Sequence, residues 1–142
     1  MAVYIAVHKD VPLLREEGYI PLQVGAAVGP ALPFIGDNTG DHISHKNATY
    51  CELTGLFWVW QNARDSYKGL VHYRRYFTHR GHVLTEGEIG DFLGKYDAIL
   101  PRPEPLRETA WQEFCLHSGH EKDLVLTRQA VEMVSAEMLP AF

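Results

Sequence analysis

The chain is poor in cysteine, has no long apolar run and carries fewer basic than acidic residues, and each shortage removes a class of function. Two cysteines in 142 residues, Cys51 and Cys115, cannot build a disulfide framework. Set in apolar sequence, they read as reduced, partly buried thiols of a cytoplasmic protein. No apolar stretch approaches the roughly 18 residues of a membrane span. Met1 to His8 lacks the charged start and small-residue cleavage site of a signal peptide. With 13 Lys and Arg against 18 Asp and Glu, a net charge of −5, a general nucleic-acid face is excluded. No HExxH, CxxC, GxGxxG or Walker pattern is present to announce a metal or a phosphate loop.

What remains is the composition of an ordinary globular protein, 46% apolar and 22% charged, long enough to bury a core as a single domain over residues 1–142. Val3 to Val7 is β-branched and continuous, which predicts a strand buried on both faces. A short helix is expected over Pro12–Glu17 and a second extended piece over Tyr19–Val24. The glycine- and proline-containing stretch Gly25–Ser44 reads as a long loop, the kind that usually carries function. Thr49 and Glu52 have capping-box spacing, and Tyr50, Leu53, Phe57 and Trp60 follow as the core face of a helix. Trp58 falls off that face. Gly55 within it implies a close approach of another segment. Tyr67–His72 reads as a strand. Thr85 and Glu88 form a second capping box, opening a helix that runs to Gly94. Tyr96–Leu100 reads as a strand, closed by the rigid Pro101–Pro105 segment. Leu124, Ala130, Val131, Val134 and Met138 suggest an amphipathic helix from about Glu121 to Leu139. Strands alternating with helices predict an α/β fold with a mainly parallel sheet.

The most telling run is YKGLVHYRRYF, Tyr67–Phe77. An apolar strand there ends in His72, Tyr73, Arg74 and Arg75. In open α/β sheets ligands bind outside the carboxyl ends of strands, and arginines with a histidine at that edge make an anion site suited to phosphate. If the chain stays extended, His72 and Arg74 share one face and meet the ligand, while Arg75 points away to brace the site or meet a partner. The loop Gly36-Asp37-Asn38-Thr39-Gly40-Asp41 could hold a base, a ribose or a divalent cation, or be a plain Asx-turn. Three His-x-x-His pairs, His42/His45, His79/His82 and His117/His120, leave a metal-binding reading open, although chance explains the spacing better.

The block IGDNTGDHISHKNATYCELTGLFWVWQNARDSYKGLVHYRRYF, residues 35–77, strongly resembles the DUF4422 family of bacterial glycosyltransferase-like proteins, found with capsule, exopolysaccharide and O-antigen biosynthesis. The opening VYIAVHKD and the later KYDAILPRP fit the same pattern. The resemblance implies a GT-A-like fold, a nucleotide-diphosphate sugar donor (a UDP-hexose being favoured) and hexose transfer to a glycan or lipid-linked glycan acceptor. It implies His72 and Arg74 as stabilisers of the departing diphosphate and Glu52 as a candidate base. His8, Lys9, Asp37, Asn38, Asp41, Asn47 and Arg75 would form the donor-contacting set. The Asp-x-Asp metal motif of many such enzymes is missing, so positive side chains rather than a metal are expected at the diphosphate, with Asp37 and Asp41 left as possible Mg or Mn ligands. Family members commonly continue past the part resembling Leu124–Phe142, so a C-terminally short form is expected, with an edge covered by a partner chain or a second copy. A cytoplasmic location follows, with peripheral attachment at the inner membrane face left open. The alternatives are a non-catalytic nucleotide-sugar-binding module and a His-based metal-dependent hydrolase.

Overall fold

Residues 1–142 are described by a computed structural model. The chain divides into two compact units, Met1–Pro101 and Arg102–Phe142.

In the first unit, β1 (Ala2–Val7) is buried along its whole length. It pairs in parallel with β2 (Tyr19–Gln23), which in turn pairs with the short β3 (Ile35–Gly36). After α1 (Asn47–Tyr50) and α2 (Leu53–Asn62), the chain enters β4 (Lys68–His72), which lies parallel on the other side of β1. The sheet order is therefore β3-β2-β1-β4. The order of strands reverses between β1 and β4, which makes the carboxyl ends of those two strands the switch point where α/β sheets bind ligands.

Alternation along β1 builds a core on each face. Ala2 and Tyr4 meet Leu22, Trp58, Val59 and Ala63 on the α2 side. Val3 and Ile5 meet Tyr19, Val71, Leu84 and Ile89 on the other. That second face is covered by a hairpin, β5 (Thr78–His79) and β6 (His82–Val83), and by α3 (Glu86–Leu93). Burial on both faces is why β1 is an unbroken apolar run. The predicted capping box at α3 is present. Thr85 N–H donates to Glu88 Oε2 at 3.0 Å, and His82 Nε2 lies 2.9 Å from the same carboxylate, so these bonds pull the Glu88 carboxyl down to about 2.

Several expectations are corrected. Residues 12–17 are not helical; Leu13 and Leu14 instead pack as cover on the α3-side core, and six residues are too few to nucleate a stable helix alone. Tyr96–Leu100 is not a strand. Asp97, Ala98 and Ile99 share an apolar cleft of about 300 Å³ with Tyr67, Lys68 and Gly69, so this stretch lies beside β4 without entering its hydrogen-bond ladder. Both cysteines are exposed rather than partly buried.

The largest correction concerns α2. Thr49 does not cap it; Thr49 lies inside α1, the chain turns at Cys51 with φ +47°, and α2 starts anew after Glu52. Leu53 and Trp60, read as core, are 56% and 68% exposed, whereas Trp58 is buried at 8%. The inward face is Thr54, Gly55, Trp58 and Val59. At Gly55 a Cβ would stand 2.7 Å from Val24 Cγ1, so the close approach implied by that glycine is real.

The second unit holds α4 (Ala110–His117) and α5 (Glu121–Ser135), followed by a 3₁₀ stretch, Ala136–Ala141. Thr109 and Gln112 cap α4 reciprocally, and His120 N–H donates to Asp123 at the start of α5 at 2.9 Å. The helix predicted from about Glu121 is thus present, ending as 3₁₀. None of its residues is buried, and Met133 and Val134 are each 86% exposed.

The inversion of α2 has a direct consequence for stability. Trp58→Ala should cost about 3–5 kcal/mol in chemical denaturation, and Trp60→Ala should stay within about 0.5 kcal/mol of wild type. The reverse ranking would contradict the observed helix face.

Candidate functional site

The site is assembled from two neighbouring pieces: the loop after β2, and the ends of β1 and β4. Asp37 organises the loop. Its carboxylate is wholly buried and accepts from Gly25 N–H and Ala26 N–H, both at 3.0 Å, from Thr54 Oγ1 at 2.6 Å and from Ser44 Oγ. Behind these donors stands a second rank, in which Ala27 N–H donates to Ser44 Oγ and Asn47 Nδ2 to Thr54 Oγ1, each at 3.0 Å. Hydroxyls that accept while they donate polarise one another and strengthen the set. Gly25, at φ +69°, faces Asn47 so closely that a Cβ would collide with its carboxamide.

A regular correspondence extends this arrangement. Thr54, Trp58 and Asn62 lie four residues apart on α2, and each bonds one of the alternate loop residues Asp37, Thr39 and Asp41. Trp58 Nε1 donates to the Thr39 carbonyl at 2.8 Å. Asn62 accepts from Asp41 N–H at 3.1 Å and donates to Asp41 C=O at 2.9 Å. Four helical residues advance about 6 Å, so successive turns of α2 meet successive points along the turning loop.

Asp37 and Asn47, both expected as donor contacts, are engaged within the protein. Asp37 is buried with its acceptor capacity used inside the protein, and Asn47 Nδ2 is held by the Cys51 carbonyl at 2.8 Å and by Thr54. Asn38 and Asp41 remain on the exposed rim. Of the two residues read as possible Mg or Mn ligands, Asp41 is exposed and Asp37 is buried. No three His, Cys, Asp or Glu side chains converge anywhere in the chain. Two of the His-x-x-His pairs are drawn elsewhere, His82 to Glu88 and His117 to Glu113, while the His42 and His45 rings meet edge-on at 6.4 Å.

At the ends of β1 and β4 the predicted residues do meet. Ala6 stands opposite His72 across the ladder, and Tyr73 N–H donates to Ala6 C=O at 3.1 Å. Beyond His72 the chain turns instead of staying extended, with Arg75 N–H bonded to His72 C=O at 2.8 Å. The turn cancels the expected alternation: Arg74 and Arg75 both line a cleft of about 340 Å³ together with Ala6, Glu52, Leu70, Val71 and His72. Arg75 thus lines the same cleft as Arg74. His8 and Lys9, at the end of β1, border the same edge and approach the Tyr73 ring.

His72 is the most constrained of these groups. Arg74 N–H donates to its Nδ1 at 3.2 Å, so the neutral ring carries its proton on Nε2, which faces Glu52 Oε1 at 3.5 Å. Burial pushes the imidazole below its ordinary value; Arg74, His8 and Arg75 push the same way, and Glu52 opposes them. At neutral pH His72 is a neutral donor, and the positive charge of the cleft comes from its arginines.

The family model described as "Domain of unknown function (DUF4422)" matches residues 2–142. The chain belongs to this family. A solved apo structure of the bifunctional glycosyltransferase WbbM is 34% identical, with a TM-score of 0.50, over 66% of this chain and 19% of that one. The DUF4422 chain thus spans about a fifth of that protein's length. No curated protein matches it. The parallel sheet flanked by helices agrees with the GT-A-like α/β class expected for the family, and no helix is long and apolar enough to cross a membrane. What the sequence reading missed is the supporting set, Ser44, Thr54, Trp58 and Asn62. Its one visible signal was the spacing of hydrogen-bonding residues every fourth position along a helix otherwise without charge.

Two outcomes follow. Asp37→Ala strands several buried donors and should destabilise the first unit by about 3 kcal/mol or more in urea denaturation; a change under about 1 kcal/mol would contradict its role. His72 should titrate below about 6.5 in NMR, lower still in Glu52→Gln and higher in Arg74→Ala. Because its folded value lies below the unfolded one, the stability it contributes is complete above about pH 6.5 and is lost as the pH falls through the folded value.

Proposed function

We propose that this chain forms the donor-binding part of a glycosyltransferase that moves a hexose from a nucleotide-diphosphate sugar, UDP-linked by preference, to a glycan or lipid-linked glycan acceptor in surface-polysaccharide assembly. The observation that carries this reading is the position of Arg74 and Arg75 beside a cleft at the switch point between β1 and β4. Guanidinium groups match phosphate oxygens in geometry and in charge. The membership in DUF4422 and the likeness to part of a bifunctional glycosyltransferase support it.

In the proposed reaction the bond between the sugar's anomeric carbon and the diphosphate oxygen breaks as the bond to the acceptor oxygen forms. Negative charge grows on the departing diphosphate, where Arg74, Arg75 and Lys9 stabilise it. His72 contributes a neutral Nε2–H donor. Glu52, which lines the same cleft as Arg74 and lies 3.5 Å from His72, takes the acceptor proton in this reading. Asn38 and Asp41 flank the donor from the loop rim.

Calorimetric titration with UDP, UDP-glucose and UDP-galactose, with and without Mn²⁺, tests the donor site. Wild type should bind at least one of them, and Arg74→Ala should weaken that binding by about tenfold or more. A folded wild-type protein that binds none of them would overturn the proposal.

A further inference from the structure

Four basic side chains at the switch point converge on one aromatic ring, that of Tyr73. The Tyr73 ring has Lys9 Nζ over it at 5.5 Å and Arg74 Cζ at 5.4 Å from its centroid. The His8 ring meets it edge-on at 5.4 Å, and the His72 ring lies against it at 4.3 Å. These groups come from the ends of two different strands, His8 and Lys9 from β1, His72 and Arg74 from β4. Tyr73 itself is fixed by its N–H bond to Ala6 C=O and by packing on the α3-side core.

Cations gathered in a ligand-free site repel one another, and flexible lysine and arginine side chains would spread into solvent. An aromatic face within about 6 Å offsets that tendency, because its quadrupole attracts each cation. The ring thereby restrains both Lys9 and Arg74 before any anion arrives. Preorganised charge of this kind loses less on binding than charge that must be collected.

We propose that Tyr73 is a positioning residue that gathers Lys9 and Arg74 across the β1–β4 switch point to receive the two phosphates of the ligand; this rests on the donor-site reading above. Its ring acts on the cations and does not stack on the nucleobase. The conservative variant should therefore preserve its role, and the effect should be the same with or without the nucleoside.

Titrations of UDP and of inorganic pyrophosphate into the full chain separate these possibilities. Tyr73→Phe should bind both ligands as wild type does, while Tyr73→Leu should bind both about fivefold to tenfold more weakly. Adding Lys9→Ala to Tyr73→Leu should cost less than Lys9→Ala costs alone, because the two act together. Undiminished binding by Tyr73→Leu would overturn the inference. So would a loss confined to UDP, which would mean base stacking. A wild-type protein that binds neither ligand would overturn the donor-site reading itself, an outcome visible without any variant. Should Tyr73→Leu fail to fold, the Lys9 ε-methylene resonance decides: an upfield position in wild type, identified through Lys9→Ala, supports the contact, and a random-coil position overturns it.

Discussion

Burial of the Asp37 carboxylate is the constraint on which the rest of the first unit turns. A carboxylate taken out of water is tolerable only when donors replace its hydration. The surrounding chain is arranged to supply them: the turn after β2 offers two backbone N–H groups, and Ser44 and Thr54 offer hydroxyls. Meeting that demand fixes the path of residues 25–44 and the rotation of α2. A loop of this length would otherwise be the least determined part of the domain. Here it is tied at alternate residues to successive turns of a helix.

The rotation of α2 shows a polar network overriding an apolar pattern. Had hydrophobicity alone decided, Leu53, Phe57 and Trp60 would face the sheet. Thr54 must reach Asp37, however, and Trp58 and Asn62 must reach Thr39 and Asp41. Trp58 reconciles both needs, since it packs edge-on against Tyr4 at 5.6 Å while its indole N–H serves the loop. The outward face of a helix without a single charged residue is left apolar and exposed.

The charged edge of the sheet follows a different logic. β1 and β4 are neighbours in space but distant in sequence, and their parallel register sets Ala6 against His72. The next residues of each strand therefore arrive at one place. A tight turn after His72 then brings both arginines to the cleft and lends the Arg74 N–H to the imidazole. The His72 tautomer and the placement of the arginines are two results of the same turn.

Much was legible from the sequence. The buried first strand, the strand ending at His72, the cap of α3 and the concentration of basic side chains at one sheet edge are local signals, carried by composition, alternation and capping residues. The family was legible too, because a motif of this length is specific. The roles within the motif were not. Short polar residues such as Asp37 and Asn47 look alike in sequence whether they face a ligand or bond within the protein. Trp58 and Trp60 exchanged places because the apolar spacing marks one face of α2 while Thr54 and Asn62, bonded to the loop, turn another face inward. Thus the sequence by itself determined the three main strands, β1, β2 and β4, and where charge collects along the chain. Which polar groups turn inward, which arginines share a cleft and which tautomer His72 adopts were decided only in the tertiary structure. These depend on donors and acceptors brought together from distant segments, and no local pattern records such a meeting.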